Sequence, residues 1–578
     1  MKKAAFLQSN HLNKRKEYLF LFLFTLFACL LRLFLILHDW PSTNADEATM
    51  GLMALHIEQG RDFPIFFYGQ GYMGTLQAYL GSILFHLFCT SLYALRVGLI
   101  LIFAVFFVTI YFLVKIVYSR SFAFLCLLLY TLGSANIIGT QLFANGGYAE
   151  TLLFSALIFL LVAQMILQRD IPDQQPNHLR WRRLLHWGVV GFFIGIAIYS
   201  DILILPTLLC STLLLYIFMH GELFSRAGLL LIGGLLLALL PTIIYNLSVP
   251  FSQGTLAAYV GSSGYAATTT TKGGITFAQQ FLQALLITLP DATGLSPVCN
   301  IHEPMHAGHA FFEIFGPQQQ ICALSSIGWA TGYIALVLLA SLQLVRVLLS
   351  SYRHRSRTKF AGVPPHENTL YWIRLMLIVS AVITFTLYVV SAPAALNPRT
   401  TARYLSGMLI AIPALVWPLW QSILHINKIS WQKRIIAVGL LLSAFLLFFK
   451  GTADIFTQFD TSQAMISQQQ TLIDFLSQHK ITRFYTDYWT CNNLIFQSHE
   501  QLLCANLDEQ LQTGLDRYLP YRDAVKDQLQ GIYIFKVHSQ QTIALDEKVT
   551  HHPEIHVKRT VIANYVIYQA PTQFHMLT

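Results

Sequence analysis

The chain has 578 residues, of which 55% are hydrophobic and only 11% charged, with a mean hydropathy of +0.53. That balance excludes a large water-soluble protein and fits a polytopic membrane protein whose main solvent is the bilayer. The formal charge of +9 does not point to nucleic acid, because the basic residues fall in short blocks between apolar runs and form no continuous stripe interleaved with aromatics.

A spanning helix needs roughly 20 apolar residues. The first such run, 18–38, follows Lys2, Lys3, Lys14, Arg15 and Lys16, which assigns the N-terminus to the cytoplasm and residue 46 to the outer side. No small-residue cleavage site follows the run, so it reads as an anchor. Further spans fit 92–117, 121–143, 149–168, 186–200, 202–219, 225–246, 326–349, 371–392, 405–425 and 433–450, about eleven in all. The implied cytoplasmic loops hold Lys115 and Arg120, then Arg169, Arg180, Arg182 and Arg183, then Arg353, Arg355, Arg357 and Lys359, and last Lys428, Lys433 and Arg434. The outer loops before residue 450 hold few cations: Arg61, Arg96, Lys272, Arg399 and Arg403. An odd number of spans then leaves the C-terminal segment outside. The run 74–90 contains Gln77, Ser82 and His86 and is barely long enough to cross, so it reads as a helix in the outer interface.

The expected organisation is a transmembrane domain over 1–450 and a small extracytoplasmic soluble α/β domain over 451–578. The transmembrane part carries a first outer loop over 39–91. A second outer loop, 247–325, is rich in Gly, Ser and Thr and is a candidate lid over substrate. In the C-terminal part, 472–476 predicts an amphipathic helix and 481–486, 531–537 and 561–568 predict strands. Cys299 with Cys322, and Cys491 with Cys504, share the oxidising side and are candidate disulfides.

Two adjacent acids, Asp46 and Glu47, stand just beyond the first span. Carboxylates are costly in hydrocarbon, so a pair at the membrane surface is a candidate for chemistry. A structural reading stands beside it: Asn44-x-x-Glu47 before an apolar helix is a capping box, with Asp46 favouring the positive end of the helix dipole. The catalytic reading needs a carboxylate able to accept a proton from an incoming hydroxyl or amine.

The stretch from Asn44 to Ile57, then Gly60 to Leu80, resembles the first outer loop of bacterial GT-C glycosyltransferases, the family 39-like relatives of protein O-mannosyltransferases and of lipid A aminoarabinose transferases. The resemblance continues at Ser91–Arg96, Gly146–Thr151, Arg403–Leu405 and Tyr485–Trp489, and so covers nearly the whole chain. It implies the GT-C architecture, with a sugar passing from a polyprenyl-phosphate donor to a lipid, glycan or protein acceptor on the outer side, with inversion. It also implies Asp46 as general base or acceptor-orienting group and Glu47 as the neighbouring acid.

Nucleotide sugars are cytoplasmic, so an enzyme with its acids outside needs a donor that has crossed the bilayer, and cations must hold the departing lipid phosphate. Arg96 and Arg403 are the first candidates for that phosphate, with Arg61 and Arg399 as alternatives. Glu150, in the outer turn Asn145–Glu150 with two glycines that let backbone approach a ligand, is a substrate-binding candidate. Tyr148, Tyr68 and His56 from the matched stretches join it. Tyr488 and Trp489 are candidates for stacking on sugar faces or for ordinary packing. His302-Glu-Pro-Met-His306 has the letters of a zinc protease motif, but Pro304 argues for a loop. His302 and His306 are therefore at most ligands of a divalent metal ion. A lipid or sugar transporter and a non-catalytic assembly or sensor protein are the rival readings. Neither needs acids in the first loop, and no repeated half supports transport.

Overall fold

A computed structural model describes residues 2–168, 177–263, 275–296, 320–357, 366–424, 430–526 and 530–571. Its contacts divide the chain into two compact units. The first comprises Met1–Arg32, Leu101–Gln141 and Gly147–Phe456. The second comprises Leu33–Ile100, Leu142–Gly146 and Thr457–Thr578, so the first outer loop clusters with the C-terminal region. Among the described residues ten helices are long and apolar enough to cross a membrane. The chain is a polytopic helical membrane protein with a small C-terminal sheet.

The expected span 121–143 is not one helix. It forms Arg120–Thr131, 12 residues, and Ala135–Thr140, 6 residues. At 1.5 Å per residue the longer piece covers about 18 Å, short of the hydrocarbon core. Gly133 separates the two, and the Ser134 hydroxyl caps the second by accepting from the Ile137 amide. The carbonyls freed at the break are satisfied from the first span: Arg32 donates to Tyr130 O and Thr131 O at 3.2 Å each, and to Gln141 Oε1 at 2.6 and 3.0 Å. Hydropathy registers the apolar run and is blind to that interruption. The span expected at 405–425 likewise starts as a 3₁₀ helix, Thr400–Ala411, and turns α-helical at Ile412–Leu424.

Glycines let the helices Asn177–Ser200 and Arg226–Ser248 of the first unit approach backbone to backbone. A Cβ on Gly191 would stand 1.9 Å from Leu231 O, and one on Gly234 2.1 Å from Gly188 O. In an apolar solvent that gives helices little hydrophobic reason to associate, such close backbone approach is the means of packing.

In the second unit five strands, β1 Arg483–Thr486, β2 Leu503–Asn506, β3 Gly531–Lys536, β4 Lys558–Ile562 and β5 Tyr565–Ala570, form a sheet ordered β2-β1-β3-β5-β4. β1 pairs parallel with β2 and β3, while β5 runs antiparallel to β3 and β4. The run 561–568, expected as one strand, spans a hairpin turned at Ala563 (φ 50) and Asn564. The predicted helix around 472–476 belongs to Phe459–Gln478. Cys491 and Cys504 are disulfide-bonded, tying the helix Tyr488–Gln497 to β2. Cys299, of the other expected pair, lies outside the described residues.

Candidate active site

The helix Ala45–Glu58 keeps the Asn44 cap of the expected capping box but not its reciprocal bond, since the Glu47 carboxylate is taken by Arg96. Asn44 is extended and its side chain accepts from the Glu47 amide at 2.9 Å, an N-cap that leaves Asp46 and Glu47 in the first turn. The two acids then take opposite environments.

Glu47 is fully buried. Arg96 donates to both its oxygens, Nε to Oε1 at 2.9 Å and Nη2 to Oε2 at 2.6 Å, and is itself 1% exposed. Arg96, expected at the donor phosphate, has its charge matched by this bidentate carboxylate. Glu47 is thereby tied to the helix Leu92–Val117 through Arg96.

Asp46 is partly exposed. Its Oδ1 accepts from the Tyr488 hydroxyl at 2.5 Å and from Arg517 Nη2 at 3.1 Å, while Arg517 Nε donates to the Tyr488 oxygen at 2.8 Å. Among the described residues Oδ2 has no hydrogen-bond partner. Arg517 is itself seated over Phe67, 5.0 Å from the ring centroid. Burial, followed by the nearby Asp46 charge, raises the Tyr488 phenol, so it stays a proton donor. Trp489 stands edge-on to Tyr488, ring centroids 5.0 Å apart, and is 53% exposed. Arg517 was not legible in the sequence, since no motif surrounds it and 471 positions separate it from Asp46.

His56, Tyr68 and Arg61 do come together, around Glu500, whose backbone is in the left-handed region at φ 62. His56 Nε2 lies 3.1 Å from Glu500 Oε1, Tyr521 donates to the same oxygen at 2.7 Å, and Arg61 pairs with Oε2. His56 Nδ1 lies 2.8 Å from the Tyr68 oxygen, and Tyr68 donates to Asp62 at 2.7 Å. Burial raises the Glu500 carboxyl, but hydrogen bonds from His56, Arg61 and Tyr521 outweigh it and hold it down at about 2. His56 is completely buried and Arg61 is engaged by a carboxylate, so both support this network.

In the first unit, Arg403 lies over Tyr148, 5.2 Å from the ring centroid, and Tyr148 stacks on Tyr404 at 5.6 Å. Arg403, Tyr148, Gln141 and Asn136 line a narrow cleft. Glu150 is buried two residues along the helix Tyr148–Leu167. The expected role of the paired glycines is corrected in part: a Cβ on Gly147 would stand 2.6 Å from Ser200 O, so this glycine admits neighbouring backbone. His302 and His306 lie outside the described residues, and among the described residues no group of three or more His, Cys, Asp or Glu could hold a metal ion.

The chain is similar to ArnT from Cupriavidus metallidurans bound to undecaprenyl phosphate, with 11% identity over 95% of this chain and 98% of that one and a TM-score of 0.50. It also matches the oligosaccharyltransferase AglB from Archaeoglobus fulgidus in complex with an inhibitory peptide and a dolichol-phosphate, with 13% identity over 92% of this chain and 71% of that one and a TM-score of 0.45. No protein-family model matches the sequence, and no curated protein does.

Proposed function

We propose that this chain is a membrane glycosyltransferase that moves a sugar from a polyprenyl-phosphate donor to an acceptor on the outer side of the plasma membrane. The observation that carries the reading is the asymmetry of Asp46: one carboxylate oxygen is fixed by Tyr488 and Arg517, the other is open. Such a group is held in one rotamer and can still accept a proton. The shared fold with ArnT, whose structure holds undecaprenyl phosphate, supports the lipid-phosphate donor.

In this mechanism Asp46 Oδ2 takes the proton of the acceptor hydroxyl or amine as that atom attacks the anomeric carbon. The bond to the phosphate oxygen breaks on the opposite face, and the lipid phosphate departs with the electron pair. A single displacement of this kind inverts the anomeric centre. Arg96 and Arg61, both considered for the phosphate, are already paired with carboxylates, so neither is assigned to it. Trp489, edge-on to Tyr488, is assigned to the face of a sugar ring.

The test is transfer from polyprenyl-phosphate sugars in membranes carrying wild type or Asp46→Asn. Loss of a positioned general base lowers the rate roughly 10²- to 10⁴-fold. Transfer at the wild-type rate would remove Asp46 from the mechanism.

A further inference from the structure

A second pocket of the first unit lies among the helices Gln320–Arg357, His366–Val390 and Ile412–Leu424, with Tyr118, just past the helix Leu92–Val117, on its wall. Tyr118, Gln343, Tyr371, Arg374, Trp417 and Gln421 supply its polar and aromatic lining. Lys115, Arg120 and Arg346 lie close by in the chain. None of these residues belongs to the proposed transfer site.

The centre of the pocket is Arg374, 7% exposed. Its Nε and Nη2 both donate to one acceptor, Val117 O, at 3.1 and 2.6 Å. No Asp or Glu forms an ion pair with it among the described residues, in contrast to Arg96. The guanidinium is instead walled by aromatic rings, its carbon 4.6 Å from the Tyr118 centroid, 5.1 Å from Trp417 and 5.4 Å from Tyr371. A single carbonyl dipole and three ring faces do not neutralise a buried cation. Two further donors point the same way: the Trp417 indole nitrogen and the Tyr118 hydroxyl are buried and have no hydrogen-bond partner. Indole N–H only donates, and arginine only donates. The complement of this lining is an anion rich in acceptor oxygens.

We propose that this pocket binds a phosphate group, as carried by an anionic phospholipid headgroup, at a site separate from the transfer site. The argument for phosphate is the match of a guanidinium and two neutral donors to its oxygens. The argument for a lipid carrier is that all three lining helices are candidate membrane spans, wholly or in part. Gln343, which donates to Gln421 at 3.3 Å, adds an amide pair to the lining.

The test uses the full chain in detergent, with native mass spectrometry during titration by phosphatidylglycerol, and with inorganic phosphate as competitor. Wild type is expected to retain phosphatidylglycerol at least about ten-fold more tightly than Arg374→Gln, the scale of a lost charge-assisted hydrogen bond. Trp417→Phe and Tyr118→Phe, which each delete one donor and keep the ring, are expected to fall between. Displacement by inorganic phosphate assigns recognition to the phosphate alone, and its failure to displace assigns the lipid as the ligand. Equal retention by wild type, Trp417→Phe and Tyr118→Phe overturns the proposal even if Arg374→Gln fails to fold. So does equal retention by a folded Arg374→Gln.

Discussion

Arg517 Nη2 donates to Asp46 Oδ1 at 3.1 Å, joining residues 471 positions apart in the chain. Arg517 also donates to the Tyr488 oxygen, so carboxylate, phenol and guanidinium form a closed triangle. Breaking it should cost rate by freeing the Asp46 rotamer. Tyr488→Phe deletes one hydrogen bond and should slow transfer by about ten-fold, and Arg517→Met by more, since the deleted bond is charge-assisted. The check is kcat and KM for both variants: a change in KM with kcat intact would argue against positioning of the base.

Glu47 and Arg96 form a buried pair whose removal should be felt in stability. Arg96→Met leaves an uncompensated carboxylate in the interior and should destabilise by about 3–5 kcal/mol, whereas Arg96→Met with Glu47→Leu should recover much of that loss. Thermal unfolding of the single and double variants measures this directly. If Arg96→Met unfolds like wild type but loses activity, the arginine serves a ligand after all.

How far the sequence reached depends on the range of each interaction. The acids at 46 and 47 were legible because a local rule, charge next to a spanning run, singles them out. Their division of labour was not, because it is decided by Arg96 on one side and by Tyr488 and Arg517 on the other, across 49, 442 and 471 positions. The apolar run 121–143 was visible, but the break at Gly133 is stabilised by Arg32 from another helix. β1 and β3 fell within their expected runs, while β2 has only four residues, too few for alternation to register.

Glu500 gives a pH signature. Its carboxyl is held at about 2 against an ordinary 4.5, so its folded-state value lies below the unfolded one. The group therefore contributes stability at pH above 4.5, and that contribution is lost as pH falls from 4.5 toward 2. Wild type should lose more thermal stability across that window than Glu500→Gln, which has no such proton to take up. Parallel melting curves for the two proteins through the window would contradict the network's role.

Gly51 fixes how the helix Ala45–Glu58, which carries Asp46, meets the helix Tyr488–Gln497, which carries Tyr488. A Cβ at residue 51 would stand 2.6 Å from the Phe496 ring, which is 4% exposed and stacked on Phe85 at 6.2 Å. The ring has no free space to yield into, so even Gly51→Ala must push the two helices apart. Overpacking of this kind costs about 1–3 kcal/mol. The helix shift also lengthens the hydrogen bond between Tyr488 and Asp46, so activity should fall more than stability predicts. Pairing Gly51→Ala with Phe496→Leu, which removes the ring, should restore part of both. A Gly51→Ala protein with wild-type melting temperature and wild-type transfer would show that the two helices are not in this contact.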